Sequence, residues 1–277
     1  MRSTIKGKIG FGVLVIVTVI LLIFPFVWQV ITSLKTPGEI FQVPPSVLPD
    51  RFYTQNYQDV FTAGVPFHWY LRNSLIVAGL TTLICLIIGS FAAYVLARYK
   101  FRGQALFLGI LLAVAMFPQV AIISPLFLFF RDLGLLNTYP GLILPYTTFA
   151  LPLTIWILTS FFRELPTDLE DAALIDGCSP FQSFYRIIVP LAAPGMVTTA
   201  ILVFIFAWNE FLFALIFNTA NHMRTVTVGI TMFPGLHEVP WGTIFAASTI
   251  ITLPLVLMVL ILQKKIVQGL TAGSVKG

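Results

Sequence analysis

The chain alternates between long runs that contain no charged residue and short segments in which charged residues cluster. Six charge-free runs each exceed the roughly 20 residues that a helix needs to cross about 30 Å of hydrocarbon. They cover 9–34, 73–97, 103–130, 133–162, 187–209 and 239–263. Few of them show the strict two-residue alternation of a membrane β-barrel. The pattern therefore predicts an all-α polytopic membrane protein with six transmembrane helices.

The predicted spans follow from where these runs begin and end. We expect a single transmembrane domain over 1–277, with spans near 10–33, 72–97, 104–130, 140–162, 195–217 and 243–263. A cytoplasmic loop at 163–194 and a cytoplasmic tail at 264–277 complete it. The third and fourth spans contain Pro118, Pro125, Pro145 and Pro152. Proline frees backbone carbonyls in a membrane helix, which favours either a kinked pathway or ordinary helix curvature.

Composition and charge support a membrane protein and predict its orientation. Charged residues make up only 10% of the chain and the mean hydropathy is +0.94, whereas soluble domains contain about a quarter charged residues. Eleven Lys and Arg residues fall on segments that would be cytoplasmic and five on outer segments. This positive-inside bias places both termini in the cytoplasm. It also accounts for the net charge of +5 without a nucleic-acid partner.

The N-terminal run follows Arg2, Lys6 and Lys8, as in a signal peptide. Signal peptides have an apolar stretch of about 7–15 residues that ends at a small-residue cleavage site. The run here is longer and ends in the bulky sequence PFVWQVITSL. We therefore expect an uncleaved first span.

One acidic residue, Glu210, lies inside a predicted span, directly after Asn209. A charged side chain at the centre of a membrane helix costs about 2.5–3.5 kcal/mol, so Glu210 should have a partner, which we expect on another helix. Two roles for Asn209 and Glu210 remain open, contact with a substrate or helix packing. The three histidines are isolated and the two cysteines lie at different levels, so neither a metal site nor a disulfide is expected.

The most polar interruption is the segment between the fourth and fifth spans, which includes DAALIDGCSPFQSFYRIIVP at 171–190. Thr167 and Glu170 have the spacing of a capping box, which would start a helix. Gly177 would end that helix in a left-handed conformation. Ser179 and Gln182 form a second possible capping box, with Pro180 at the first helical position. The segment therefore predicts two short helices separated by a glycine turn.

The charge of this segment indicates what it contacts. Residues 163–186 contain two arginines and five acidic residues. An apolar stripe lies among the acids: Leu169, Ala172, Ala173 and Ile175. Helices that lie on the anionic inner leaflet are rich in Lys and Arg, so the leaflet should repel this one. A protein partner fits better than the lipid surface.

The same stretch resembles the EAA loop of prokaryotic ABC-importer permeases. In that family Glu-Ala-Ala is followed by three residues, a glycine, nine residues and Ile-x-Leu-Pro. The matching positions are Asp171, Ala172, Ala173, Gly177, Ile187 and Pro190; Asp171 replaces the glutamate and Val189 the leucine. Four further segments are similar to carbohydrate-uptake permeases, in particular to the second permease subunit of maltose-type systems: PLFLFFRDLGLLNTYPGLILPY, ELPTDLEDAALIDG, AWNEFLFALIF and GLTAGSVKG.

The resemblance implies a division of labour among subunits. The EAA loop would be a coupling helix that docks on a cytoplasmic ATPase through Glu170, Asp171, Ala172, Ala173, Asp176, Gly177, Ile187 and Pro190. The glycine-rich tail would also reach the ATPase dimer, through Gly269, Leu270, Thr271, Ala272, Gly273, Lys276 and Gly277. The outer segment 218–241 would contact a solute-binding protein.

The implied complex sits in a prokaryotic cell membrane and contains a second homologous permease, two ATPase subunits and an extracytoplasmic solute-binding protein, with a sugar as substrate. This chain would be a non-catalytic subunit with no cofactor of its own, and ATP and Mg would bind the ATPase. The sequence contains no GxxxxGK[ST] loop to hold ATP phosphates.

Two other functions fit the sequence less well. A self-sufficient secondary transporter or channel usually has ionisable residues near the membrane midplane or internal repeats. Glu210 alone qualifies, and the sequence has no duplicated halves. A membrane-embedded enzyme needs clustered carboxylates or histidines. The one such cluster, Asp168 to Asp176, is explained by helix capping and docking.

Overall fold

The computed structural model describes the backbone of residues 5–233 and 239–272 and the side chains of residues 10–233 and 239–263. Within that part the chain is helical and contains no strand, which confirms the all-α prediction. The helices are α1 (Ile5–Ser33), α2 (Pro37–Ile40), α3 (Gln55–Thr62), α4 (Phe67–Arg98), α5 (Gln104–Met116), α6 (Gln119–Asp132), α7 (Tyr139–Glu164), α8 (Asp168–Ile175), α9 (Pro180–Ser183), a π-helix (Phe184–Ile188), α10 (Val189–Leu191), α11 (Ala193–Asn209), α12 (Leu212–Phe217), a 3-10 turn (Asn221–Met223), α13 (Val226–Gly229), a 3-10 turn (Ile230–Met232) and α14 (Trp241–Ala272).

Four of these helices are long and apolar enough to span a membrane: α1 from Gly10 onwards, α4, α7 and the part of α14 up to Gln263. Two bent pairs could each form one further span. In the first pair, α5 and α6 meet at 91°, and in the second, Pro180–Leu191 and α11 meet at 76°. The described residues thus provide between four and six membrane-spanning helices.

The third predicted span, 104–130, is not a continuous helix. The helix α5 ends at Met116, Phe117 and Pro118 are extended, and α6 begins at Gln119. Proline has no N–H to donate and disfavours the helical conformation in the residue before it, so the chain breaks here. The other three prolines of the middle spans lie inside α6 and α7, which continue through them.

The last two predicted spans also end elsewhere than the charge-free runs predict. The expected helix over 195–217 is interrupted after Asn209 and resumes at Leu212. The last helix does not stop at Gln263 but runs on to Ala272. Lys264 and Lys265 are charged, so they limit the length of the helix that can lie in hydrocarbon. Lysine is nevertheless a good helix former, so the helix itself continues beyond them.

The chain forms two compact units, Met1–Phe67 with Gly229–Leu253, and His68–Val228 with Pro254–Gly277. In the first unit Thr36 and Glu39 form a capping box at the start of α2. The Glu39 carboxylate also accepts a hydrogen bond from the Asp50 backbone N–H (2.7 Å). The hydrogen bonds from Thr36, followed by that from Asp50, lower the pKa of Glu39 from 4.5 to about 2.

In the second unit α7 is the most enclosed of the four long apolar helices, with 61% of its most apolar stretch buried. Small buried residues recur every four positions along α4, at Thr81, Cys85, Gly89 and Ala93, and Cys85 and Gly89 lie against α7. A Cβ added at Gly89 would lie 2.5 Å from the Thr154 Cγ2 atom on α7. Lipid tails are as apolar as side chains, so membrane helices associate by such close van der Waals contact.

Candidate functional site

The first part of the predicted coupling loop is the short helix α8, which ends at Gly177 as the sequence predicted. Gly177 has a φ of +84°. Its N–H donates to the Leu174 carbonyl (3.1 Å), and the Cys178 N–H donates to the Ala173 carbonyl (2.9 Å). These two bonds constitute a Schellman motif, which satisfies the last carbonyls of the helix. A Cβ at Gly177 would meet no atom within 4 Å, so the left-handed backbone alone favours glycine here.

The predicted capping box at the start of α8 is wrong. Thr167 has helical backbone angles and its side chain makes no capping hydrogen bond. Glu170 does not fold back on Thr167, because its carboxylate is engaged by a different helix. A charged donor makes a stronger hydrogen bond with a carboxylate than a backbone amide does, which explains the preference.

The second part of the loop begins as predicted. Ser179 and Gln182 form the expected capping box, with the Ser179 N–H donating to Gln182 Oε1 (2.8 Å) and the Gln182 N–H donating to Ser179 Oγ (3.3 Å). The helical segment then continues through Pro190. It widens into a π-helix over Phe184–Ile188 and passes the proline to reach Leu191. A wider turn before proline relieves the clash of its ring with the preceding turn.

Aromatic packing holds this second part against the membrane helices. The Phe184 ring is buried. Its centroid lies 5.0 Å from the ring centroid of Phe91, 4.9 Å from that of Tyr94 and 6.2 Å from that of Phe162. Ile188, one turn further along, belongs to the same buried cluster. The loop is therefore anchored on α4 and α7 through apolar contacts.

An ion pair joins α8 to the end of α4. The Arg98 Nε atom donates to Glu170 Oε1 (2.5 Å), and the Tyr94 hydroxyl donates to Glu170 Oε2 (2.7 Å). The Arg98 guanidinium also donates to the Leu165 carbonyl (3.1 Å). The exposed fractions of the Arg98 and Glu170 side chains are 8% and 15%. The sequence pattern indicates Arg98 only as an inner positive charge and does not single out Tyr94, because their partner lies more than 70 residues away.

The opposite face of α8 is open. Ile175 is 86% exposed, and its exposed neighbours include both acidic and apolar residues: Asp168, Leu169, Asp171, Ala172, Leu174 and Asp176. Of the other predicted coupling residues, Gly177 and Pro190 are exposed, Glu170 and Ile187 are partly buried, and Ala173 is buried. Most of the predicted coupling residues are thus exposed, while the Glu170 side chain is bonded to α4 and Ala173 is buried.

Comparison with known proteins identifies the family. Residues 85–272 match the model of the binding-protein-dependent transport system inner membrane component. The chain belongs to this family. The trehalose/maltose transport system permease protein MalG of Thermococcus litoralis is 44% identical over the full length of both chains. The trehalose transport system permease protein SugB of Mycobacterium tuberculosis is 45% identical over 92% of this chain and 93% of its own.

A solved structure has the same fold. The crystal structure of a bacterial ABC transporter involved in the import of the acidic polysaccharide alginate contains a chain that superposes with a TM-score of 0.80. The match covers 95% of this permease and 98% of that chain, with 22% sequence identity. The likeness concerns the fold, which is that of an ABC-transporter permease.

In the permease, Glu210 has a partner that the sequence did not predict. Glu210 is extended at the break after α11 and is 8% exposed. Its carboxylate accepts hydrogen bonds from the backbone N–H groups of Phe213 (2.9 Å) and Ala214 (3.2 Å), which are the free donors at the start of α12. The carboxylate therefore bonds to the backbone of the following short helix, α12, which lies within the same predicted span. Asn209 is exposed and its side chain donates to the Ile205 carbonyl in its own helix.

The predicted ATPase-contacting tail lies only partly within the described chain. Residues 269–272 continue the backbone of α14, and residues 273–277 lie outside the described residues.

Proposed function

We propose that this permease carries a carbohydrate across the cell membrane and that separate subunits hydrolyse the ATP that drives it. The sequence match over nearly the whole chain supports the substrate class, because the two relatives above are named for trehalose and maltose transport. The absence of a phosphate-binding GxxxxGK[ST] loop supports the division of labour. ATP and Mg²⁺ would bind the ATPase subunits, and this chain would hold no cofactor.

The proposed partners are a second homologous permease, two ATPase subunits and an extracytoplasmic solute-binding protein. The ATPase would dock on the open face of α8. This face carries carboxylates beside exposed leucine and isoleucine side chains, a composition that suits a protein interface and not the anionic inner leaflet. The site would include Asp171, Ala172, Asp176 and Gly177, with both chain termini on the same, cytoplasmic side.

The observation that carries the proposal is that the best-matched motif, Asp171 to Gly177, forms an exposed helix that is linked to α4 through Glu170. An acidic and apolar helix that is attached to a membrane helix but uncovered can receive a protein and transmit its movement. The bilayer would surround the remaining apolar helices.

Reconstitution tests the proposal. The permease is placed in lipid vesicles alone, or together with the neighbouring permease, the ATPase and the binding protein, and uptake of labelled trehalose or maltose is measured with and without ATP. We expect uptake only with all subunits and ATP. Uptake by the purified chain alone would instead identify a secondary transporter or channel.

A further inference from the structure

The helix α8 has few attachments to the membrane helices. Of its described residues only Ala173 is buried. Glu170 is the only side chain of α8 in the described part of the chain that forms a hydrogen bond with a membrane-spanning helix. The connection of α8 to α4 therefore depends on one carboxylate.

That carboxylate is held from two sides by a single helix face. Tyr94 and Arg98 are four residues apart on α4, so their side chains lie on the same face. Each donates to a different oxygen of Glu170. Arg98 also binds the Leu165 carbonyl, which lies just before α8. The end of α4 is thus hydrogen-bonded both to α8 and to the chain segment that leads into it.

The two kinds of attachment hold different parts of the loop. The aromatic contacts of Phe184 anchor its second part on α4 and α7. The hydrogen bonds to Glu170 have fixed donors and acceptors and weaken steeply when their angles change. Displacement of α8 along the membrane surface would be passed to α4 through these polar bonds.

We propose that Glu170 is a positioning residue that transmits movement of α8 to α4 and does not itself contact the ATPase. Both of its oxygens are occupied within the permease, whereas the adjacent Asp171 is exposed. The two neighbouring acids therefore have separate roles, with Asp171 facing the partner and Glu170 facing α4. The role of Glu170 in transmitting movement rests on the proposed function, whereas the hydrogen-bonded link between α8 and α4 does not.

The first experiment needs no ATPase. Hydrogen exchange of the α8 amides is measured in the purified full-length permease for Glu170→Gln and for the exposed control Asp171→Asn. Glutamine keeps the shape of the side chain but presents an NH₂ group to one of the two donors. We expect exchange in α8 to become about tenfold faster or more in Glu170→Gln and to stay unchanged in Asp171→Asn. Unchanged exchange in Glu170→Gln would overturn the proposal whatever the transport data show.

The second experiment uses the complete reconstituted complex. We measure how much ATPase remains associated with each variant and how many sugar molecules are transported per ATP hydrolysed. Glu170→Gln should retain the ATPase but transport about fivefold less sugar per ATP or worse, which corresponds to the lower end of typical coupling energies. Asp171→Asn should show the reverse, with weaker association and normal transport per bound ATPase.

A double variant tests whether Tyr94 and Glu170 act through each other. Tyr94→Phe keeps the aromatic contacts and removes only the hydroxyl that donates to Glu170, so it should add no further loss of coupling in the Glu170→Gln background. Additive losses, or a Glu170→Gln variant that loses the ATPase as Asp171→Asn does, would refute the positioning role. If α8 loosens as predicted but the wild-type complex shows no ATP-dependent uptake, the proposed function fails while the link between α8 and α4 remains.

Discussion

The interruption between α11 and α12 depends on one side chain, and its removal has a predictable cost. Glu210→Ala would leave two buried backbone N–H groups, those of Phe213 and Ala214, without an acceptor. Each unsatisfied buried donor costs about 1–3 kcal/mol. We therefore expect Glu210→Ala to destabilise the permease by about 2–6 kcal/mol, which is the penalty for the two donors.

Thermal unfolding of the purified permease in detergent measures this effect. In a chain of this size a loss of about 1 kcal/mol lowers the midpoint by about 2–4 °C, so the expected decrease is about 4–24 °C. Glu210→Gln should have an intermediate effect, because it retains one acceptor oxygen. Asn209→Ala is the matched control: its side chain is exposed and bonds only within its own helix, so the midpoint should change by little. A Glu210→Ala variant as stable as Asn209→Ala would refute the capping role.

The same variants distinguish capping from substrate contact. If Glu210 only caps α12, Glu210→Gln should lower the amount of folded permease while the KM for sugar in the assembled complex stays unchanged. A large increase in KM for Glu210→Gln without loss of stability would assign Glu210 to the substrate path.

Four other variants and measurements test separate features. Gly89→Ala should lower the stability of the fold by about 1–3 kcal/mol, because the added methyl group would overpack against α7. In the control variant Gly79→Ala the added Cβ meets nothing within 4 Å, so this variant should stabilise α4 by about 0.5–1 kcal/mol. Equal unfolding midpoints of the two variants would contradict the close packing. Cys178 should react with a membrane-impermeant maleimide only in inverted vesicles. Labelling in intact cells would show that the orientation is the opposite of the predicted one. Because the pKa of Glu39 is lowered in the folded protein, its carboxylate stabilises the fold above about pH 4.5, and this contribution is lost as the pH falls towards 2. The difference in stability between wild type and Glu39→Gln should therefore shrink over that range. A constant difference would rule out this linkage. Gly177→Pro should insert into the membrane but lose ATP-dependent uptake, and normal uptake would argue against the coupling role.

Features that depend on neighbouring residues could be predicted from the sequence. The charge-free runs predict helices because hydrocarbon accepts no unpaired backbone group. The turn at Gly177 and the capping box at Ser179 involve residues within a few positions of one another, so their spacing contains the information.

Features that depend on distant residues could not be predicted in the same way. The link between Arg98 and Glu170 joins residues 72 positions apart, and nothing in either local pattern specifies the other. The failed capping box at Thr167 follows directly, since both oxygens of the Glu170 carboxylate are bonded to side chains of α4. The break after Asn209 was not predicted, because no proline or glycine near Glu210 indicates that the helix ends there.

The close contact between α4 and α7 would couple the movements of the two helices. With Gly89 lying against the short Thr154 side chain, the two helices touch at this point with little room for rearrangement, so a push at one end would tilt both helices together. The 26 residues of α7 correspond to a length of about 39 Å at 1.5 Å per residue, so a tilt of only about 5° moves the far end by about 3 Å. A displacement at α8 too small to disturb its own packing would therefore reach the opposite end of α7 as a movement comparable to the radius of a sugar ring.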